Sequence, residues 1–157
     1  MSAKALLMED GRNEWDLPEI GLRRLGAQDI QLFWKRYAAV HGPGLSHGSL
    51  YSRWREVGES IVISLYLTKN SVGLFVRGRR GESFATTARR LSAYEPELGT
   101  ALGASLHGEY PLCYLTGRPT VTTDTRAWPE AFDWMLAAER RYEAVLLEIV
   151  TDLGPEL

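Results

Sequence analysis

The sequence predicts an α+β domain, and three observations lead to that fold class. Extended and helical patterns follow one another in the order helix, strand, hairpin, helix, strand, helix, without the regular strand–helix alternation of a doubly wound parallel sheet. The chain has 157 residues, of which 45% are hydrophobic and 24% charged, as is typical of one globular domain. No internal repeat or low-complexity tract is present. We therefore expect an antiparallel sheet of about four strands, its apolar face covered by the first and last helices.

The chain is expected to divide into an irregular N-terminal segment, residues 1–24, and a single α+β domain, residues 25–157. Turn-forming residues dominate the N-terminal segment. Its apolar stretch is too short for the core of a signal peptide. No window of the chain approaches the ~18–20 apolar residues that cross a bilayer. These features predict a cytoplasmic protein that does not contact a membrane.

Apolar residues at helical spacing predict the first helix over residues 27–40. A glycine- and proline-rich break follows at 41–44. Residues 49–57 then alternate as a strand, with Leu50 and Trp54 on one side and Tyr51, Arg53 and Arg55 on the other. The stripe of the first helix consists of Ile30, Phe33, Trp34 and Tyr37.

Two apolar runs around a short polar turn at residues 69–71 predict a central β-hairpin. One side of this hairpin is apolar throughout and should face the core. The other side is mixed, and it is either partly solvated or covered by another element. The apolar side consists of Ile61, Ile63, Leu65, Leu67, Val72, Leu74 and Val76, and the mixed side of Val62, Ser64, Tyr66, Thr68, Gly73 and Phe75.

Helical spacing resumes at Phe84 and continues to about Tyr94, where the approach of Pro96 stops or kinks the helix. Pro96 is alternatively the start of a short second helical turn that reaches Leu98 and Leu102. A further strand is predicted over residues 110–115.

A long terminal helix should reach about Val150. Thr123, Asp124 or Thr125 can cap its start, and Pro129 suits its first turn. Its apolar stripe comprises Phe132, Met135, Tyr142, Leu146 and Ile149.

Arginine is the residue type that most suggests a binding site. Arg77, Arg79 and Arg80 connect the hairpin to the next helix, and amides at a helix start together with arginines can hold a phosphate. Arg53 and Arg55 lie beside an aromatic residue on a neighbouring strand, an arrangement that can grip single-stranded nucleic acid. The alternatives are a solvated loop and the polar side of an ordinary strand. The five arginines act together only if they converge on one surface.

Other chemistry receives little support from the residue pattern. His41, His47, His107 and Cys113 lack zinc-ligand spacing, and a His107–Cys113 nucleophile pair would need an orienting group that the sequence does not mark. Cys113 fits a core thiol better. No Glu-x-Lys triplet of the kind found in metal-dependent nucleases occurs. We expect no metal, no cofactor and no catalytic residues.

Four segments together resemble a bacterial family, the domain of unknown function 4268. They are "FWKRY", "VISLYLTKN", "LSAYEPELG" and "AWPEAFDWMLAAERRYEAVLLEI", within residues 30–149. The resemblance implies an accessory module, often joined to a nuclease-like domain in longer proteins. It implies no catalytic residues.

The sequence favours a non-enzymatic domain that binds a protein partner or a second copy of itself. Dispersed tryptophans and an arginine-rich edge are the residues that suit interaction. A net charge of −2 differs from that of a dedicated nucleic-acid coat protein but leaves room for a local basic patch. The alternative is a nucleic-acid-binding module that uses Arg53, Arg55, Arg77, Arg79 and Arg80. A minimal hydrolase is a third possibility.

Overall fold

A computed structural model of the chain describes residues 26–107 and 112–150. The predicted irregular segment, residues 1–24, lies outside the described residues, as does the beginning of the strand predicted over 110–115.

The described residues form one five-stranded antiparallel sheet with α-helices packed on it. The strand order is β1-β2-β3-β4-β5, so each strand pairs with its neighbours along the chain. The α+β prediction is confirmed, and the strand count is close to the expected four. The elements are α1 Ala27–His41, β1 Ser46–His47, β2 Ser52–Val57, β3 Ile61–Thr68, β4 Ser71–Gly78, α2 Phe84–Ser92, α3 Glu97–Leu102, β5 Cys113–Pro119 and α4 Trp128–Ile149.

The predicted hairpin forms between β3 and β4, with Ile63 opposite Val76 and Leu65 opposite Leu74. Its apolar side chains are fully buried on what we call the helix face of the sheet. α4 contacts β2, β3 and β4. The last helix therefore covers the apolar face, as the sequence predicts.

The first helix reaches the core chiefly through α4. The Phe33 ring lies edge-on to Trp128 and to Phe132, with centroids 5.3 and 5.1 Å away. Trp34 also donates its indole N–H to the Leu50 carbonyl at 3.2 Å. α1 thus packs on the terminal helix and on the entry to β2, not broadly across the strands.

The opposite side of the hairpin, the far face, is buried as well. Val62, Ser64 and Phe75 are each exposed by 2% or less, which decides the question that the mixed sequence pattern left open.

Near the end of the sheet, Tyr66 extends over two glycines, Gly73 on β4 and Gly117 on β5, which face each other in register. A Cβ at Gly73 would overlap the Tyr66 hydroxyl, and one at Gly117 would lie 2.8 Å from it. The two glycines therefore make the space that the phenol occupies.

β5 differs most from its prediction. The expected strand ended at Leu115, because Gly117 and Pro119 suggested a turn, but β5 continues to Pro119. Gly117 is a strand residue because the Tyr66 phenol occupies the space that a side chain at this position would fill. Pro119 is tolerated at the end of a strand that has one neighbour, where a missing N–H costs no ladder bond.

The helix boundaries follow local capping chemistry. α2 ends at Ser92 and α3 begins immediately after Pro96, so the alternative of a second short helix is correct. Before α4, Asp124 accepts a hydrogen bond from the Arg126 N–H at 3.0 Å and caps a 3₁₀ turn, Thr125–Ala127.

Among the described residues, no helix has the length and apolar character that crossing a bilayer requires.

Candidate functional site

The five arginines singled out by the sequence do not converge on one face of the sheet. Arg53 pairs with Leu65 and Arg55 with Ile63, which places both on the helix face. Arg77 is opposite Val62 and belongs to the far face. The two groups therefore do not form the single arginine surface considered above.

Arg53 is held by internal partners. One of its terminal nitrogens donates to the Ser49 carbonyl at 2.8 Å and to the Ser52 carbonyl at 2.7 Å. The guanidinium carbon lies 5.1 Å from the centre of a Trp34 ring. Burial lowers the pKa of Arg53. These contacts tie β2 to α1 and leave little of the side chain for a ligand.

Arg55 is bound to α4. Its Nη2 donates to Glu143 Oε2 at 2.8 Å, and its Nε lies 3.9 Å from Glu139 Oε2. The hydrogen bond to Glu143 raises the pKa of Arg55. About a quarter of the Arg55 side chain, 28%, is exposed.

The other three arginines belong to a segment that we call the arginine turn, residues 77–82, and two of them contact Trp54. The guanidinium carbons of Arg77 and Arg80 lie 4.2 and 4.5 Å from the centre of a Trp54 ring, within the range of cation–π attraction. Arg77 is buried and donates its Nε–H to the Gly78 carbonyl at 2.9 Å, whereas Arg80 is exposed. Gly81 has a φ of 92°, which glycine adopts without strain, and this lets the chain reverse at this point.

The arginine turn presents two cations to solvent. Its carboxylate, Glu82, accepts a hydrogen bond from Arg90 at 2.6 Å. Arg79 and Arg80 are exposed, and neither side chain forms a hydrogen bond or ion pair with another residue in the described ranges. The turn therefore offers guanidinium groups whose charge is not compensated locally.

A second polar cluster, which the sequence did not predict, joins the end of α1 to α4. The carboxylate of Glu139 accepts a hydrogen bond from the Tyr37 hydroxyl at 3.2 Å and contacts His41 Nε2 at 2.7 Å. The other ring nitrogen of His41 lies 2.9 Å from the Gly42 carbonyl. The His41 and Glu139 side chains are only 4% and 5% exposed, so the fold holds an ionisable pair out of water.

A pocket of about 200 Å³, the helix-end pocket, opens beside this cluster. Burial, followed by the negative charge of Glu139, raises the pKa of Tyr37, while the positive charge of Arg140 opposes that rise. The pocket combines one buried and one partly exposed carboxylate with two arginine cations. Its lining residues are His41, Arg55, Leu136, Glu139, Arg140 and Glu143.

Neither the His41–Glu139 pair nor the cysteine presents a free reactive atom. Both nitrogens of His41 and both oxygens of Glu139 already have partners within the fold. Cys113 is fully buried, and burial raises the pKa of its thiol to about 12, so a reactive thiolate does not form near neutral pH. Within residues 26–107 and 112–150, no cluster of His, Cys, Asp and Glu is arranged to hold a metal ion.

One signal in the sequence could have indicated the cluster. Glu139 lies four residues after Met135 and three before Tyr142, which places a carboxylate within the apolar stripe of the terminal helix. A charged residue at a buried helical position must have partners. The pattern does not reveal that these partners come from α1.

Comparison of the chain with protein-family models, with curated proteins and with solved structures finds no match. The functional interpretation therefore depends on the residues and their geometry.

Proposed function

We propose that this chain is a non-enzymatic, cytoplasmic binding domain whose arginine turn holds an acidic segment of a partner protein. The observation that carries the proposal is the stacking of exposed Arg80 over Trp54, with Arg79 exposed beside it. Arginine and tryptophan are the residues most enriched where binding energy concentrates in protein interfaces.

Stacking on Trp54 prepares Arg80 for binding. A guanidinium that lies over an aromatic ring keeps its in-plane N–H groups free. Those groups can pair with a carboxylate through two parallel hydrogen bonds. Because the ring already restricts the side chain, less conformational entropy is lost when a partner binds.

The exposed apolar residues also favour a charged contact. In the described ranges, the large hydrophobic residues with high exposure are Val40, Val121 and Leu147, and they belong to α1, the segment after β5 and α4. An interface based on an extensive apolar patch would need more of them. Self-association is therefore also expected to use polar contacts, those of the arginine turn among them.

The bonding of the His41–Glu139 pair supports a binding function over catalysis. A general base must have an atom within reach of the proton it removes. The nitrogens and oxygens of this pair instead contact Tyr37, Gly42 and each other. Their arrangement suits a contact that fixes α1 against α4. The family resemblance to an accessory domain agrees with this proposal and is part of it.

Nucleic-acid binding is the second candidate function, and the arginine–tryptophan contact is the observation that favours it. Arg53 is held by internal hydrogen bonds, Arg55 is only 28% exposed and Arg77 is buried. Arg79 and Arg80 are therefore the most exposed residues of the original set. Such a site would contact few phosphates, and its affinity would fall only moderately with salt.

Fluorescence anisotropy with two labelled probes tests these candidates. One probe is an oligo-glutamate peptide and the other a single-stranded DNA of mixed sequence. The proposal expects binding of the peptide, weakened about tenfold or more by Arg79→Ala with Arg80→Ala, since the variant loses charge-assisted hydrogen bonds. Arg89→Ala with Arg126→Ala, which removes two other exposed arginines, is the matched control and should bind normally.

The outcomes separate the two candidates. Preferential binding of DNA, lost in the Arg79/Arg80 variant, would replace the protein-binding proposal with the nucleic-acid one. Equal effects of both double variants, or no binding of either probe at low salt, would contradict a function for the arginine turn. Light scattering of the unmodified protein and of the Arg79/Arg80 variant shows whether self-association uses the same residues.

A further inference from the structure

The helix-end pocket has its own unused binding capacity, separate from the arginine turn. It lies between the end of α1, the middle of β2 and α4, and its volume of about 200 Å³ admits a small polyatomic ion. Small-ligand sites of proteins typically combine a concave shape with a few convergent polar groups. The question is which hydrogen-bonding groups of this pocket remain free.

Three of the four oxygens of the two pocket carboxylates are already engaged. Glu139 interacts through one oxygen with Tyr37 and through the other with His41. Glu143 accepts a hydrogen bond from Arg55 at 2.8 Å through its Oε2. A cation that binds both carboxylates would have to displace these protein donors. The carboxylates therefore do not favour a cationic ligand.

The donors of the pocket are only partly used. Arg55 makes one close hydrogen bond, to Glu143, although a guanidinium carries five N–H groups. Arg140 is exposed and lines the pocket, and it forms no hydrogen bond or ion pair with any residue that the structure describes. Arg140 shares the lining of the pocket with His41 and Glu139 of the buried cluster. The unused hydrogen-bonding groups of the pocket are therefore N–H groups on two arginines.

We propose that the helix-end pocket binds a small oxyanion, a carboxylate or a phosphate, between Arg55 and Arg140. Planar guanidinium groups match both anions through paired hydrogen bonds. The partly enclosed position strengthens the attraction to the two arginines because less water screens the charges, and this attraction must exceed the repulsion from Glu139 and Glu143. The buried Tyr37–Glu139–His41 cluster acts as the rigid support that fixes the floor of the site.

Thermal unfolding in sodium phosphate and in sodium acetate, each compared with sodium chloride at equal ionic strength, tests the proposal. Phosphate also stabilises proteins generally by its exclusion from their surface, so the informative quantity is the difference between the protein and its Arg140→Gln variant. A bound anion raises the midpoint with a saturable dependence on concentration. We expect the apparent affinity to fall about tenfold in Arg140→Gln, the loss of roughly one charge-assisted contact. Arg89→Gln, which removes an exposed arginine of α2, should respond as the unmodified protein does.

A second variant changes the affinity in the opposite direction. Glu143→Gln removes the carboxylate that competes for Arg55 and should tighten anion binding several-fold, an effect that damage to the fold would not produce. Saturable stabilisation by either anion, together with these opposite effects, supports the site and shows which oxyanion it prefers. Equal responses of the unmodified protein and Arg140→Gln, or weaker binding in Glu143→Gln, would overturn it. The Arg79/Arg80 variant should keep the response, so this result is independent of the arginine turn.

Discussion

Arginines on the two faces of the same sheet have different uses. On the helix face, Arg53 donates to two backbone carbonyls and Arg55 donates to the Glu143 carboxylate of α4. At the arginine turn, Arg77 and Arg80 contact an aromatic ring, which leaves the in-plane donors of the exposed Arg80 available. The comparison shows that the partner of an arginine, more than its presence in a basic run, decides whether it is available to a ligand.

The strongest way to break the helix-face arrangement is to remove the carboxylate at its centre. Glu139→Ala should lower the free energy of unfolding by about 3–5 kcal/mol, because it leaves buried His41 and partly buried Arg55 without their shared partner. Urea unfolding followed by circular dichroism measures this loss. Glu148→Ala, at an exposed position of the same helix, should cost less than about 0.5 kcal/mol. Similar losses for the two variants would show that the cluster is not needed for stability.

High pH provides a second test of the buried groups on the helix face. Burial raises the pKa of the Cys113 thiol from 9.0 to about 12 and that of the Tyr142 phenol from 10.0 to about 12. The fold thus favours the protonated forms, and this stabilisation is complete below about pH 9 and is lost progressively as the pH rises to 12. Between pH 8 and pH 11 the free energy of unfolding should fall by roughly 3 kcal/mol from Cys113 and about 1 kcal/mol from Tyr142.

Urea unfolding at pH 8 and at pH 11 measures the predicted fall. Cys113→Ala should be less sensitive to this change of pH, because the variant lacks the Cys113 contribution. It keeps the contributions of the buried tyrosines whose pKa values are raised, Tyr37, Tyr114 and Tyr142. Arg80→Ala, at the arginine turn, should keep the full sensitivity. An unchanged pH dependence in Cys113→Ala would contradict the assignment.

The smallest expected effect concerns the arginine turn. Trp54→Leu should lower the free energy of unfolding by about 1–2 kcal/mol, since it removes the stacking of one buried and one exposed arginine. Arg80→Ala should cost about 0.5–1 kcal/mol. Arg79 has no such contact with any residue that the structure describes, so Arg79→Ala should cost close to zero. Equal effects of Arg79→Ala and Arg80→Ala in urea unfolding would argue against a structural role for the stacking.

The fold was predictable where the spacing of apolar residues corresponds to a single buried face. Ile63 and Leu65 alternate with residues of the other face, and their pairing with Val76 and Leu74 follows. β1 was missed because two residues carry no periodicity. The end of β5 was misjudged because Gly117 normally indicates a turn, whereas in this sheet it makes room for a side chain two strands away.

The site was less predictable because its partners are distant in sequence. Tyr37 and Glu139 are separated by 102 positions, and in a helical pattern Tyr37 simply continues an apolar stripe. Alternation placed Arg53 and Arg55 on the side of β2 opposite Trp54 correctly, but strand pairing was needed to show that Arg77 lies on the same face as Trp54. No local sequence pattern encodes the register in which these strands pair.

The phenol of Tyr66 above Gly73 and Gly117 has an evolutionary consequence. A larger residue at Gly117 conflicts with tyrosine at position 66 and becomes acceptable if that position first changes to a smaller residue. A Cβ at Gly73 would also lie 2.5 Å from the Thr116 carbonyl oxygen, so a change at position 66 does not free that glycine. Substitutions at positions 66 and 117 are therefore expected to show strong epistasis, and the order in which they arise determines which sequences remain accessible. A library that varies these two positions together should recover folded combinations that no single substitution reaches.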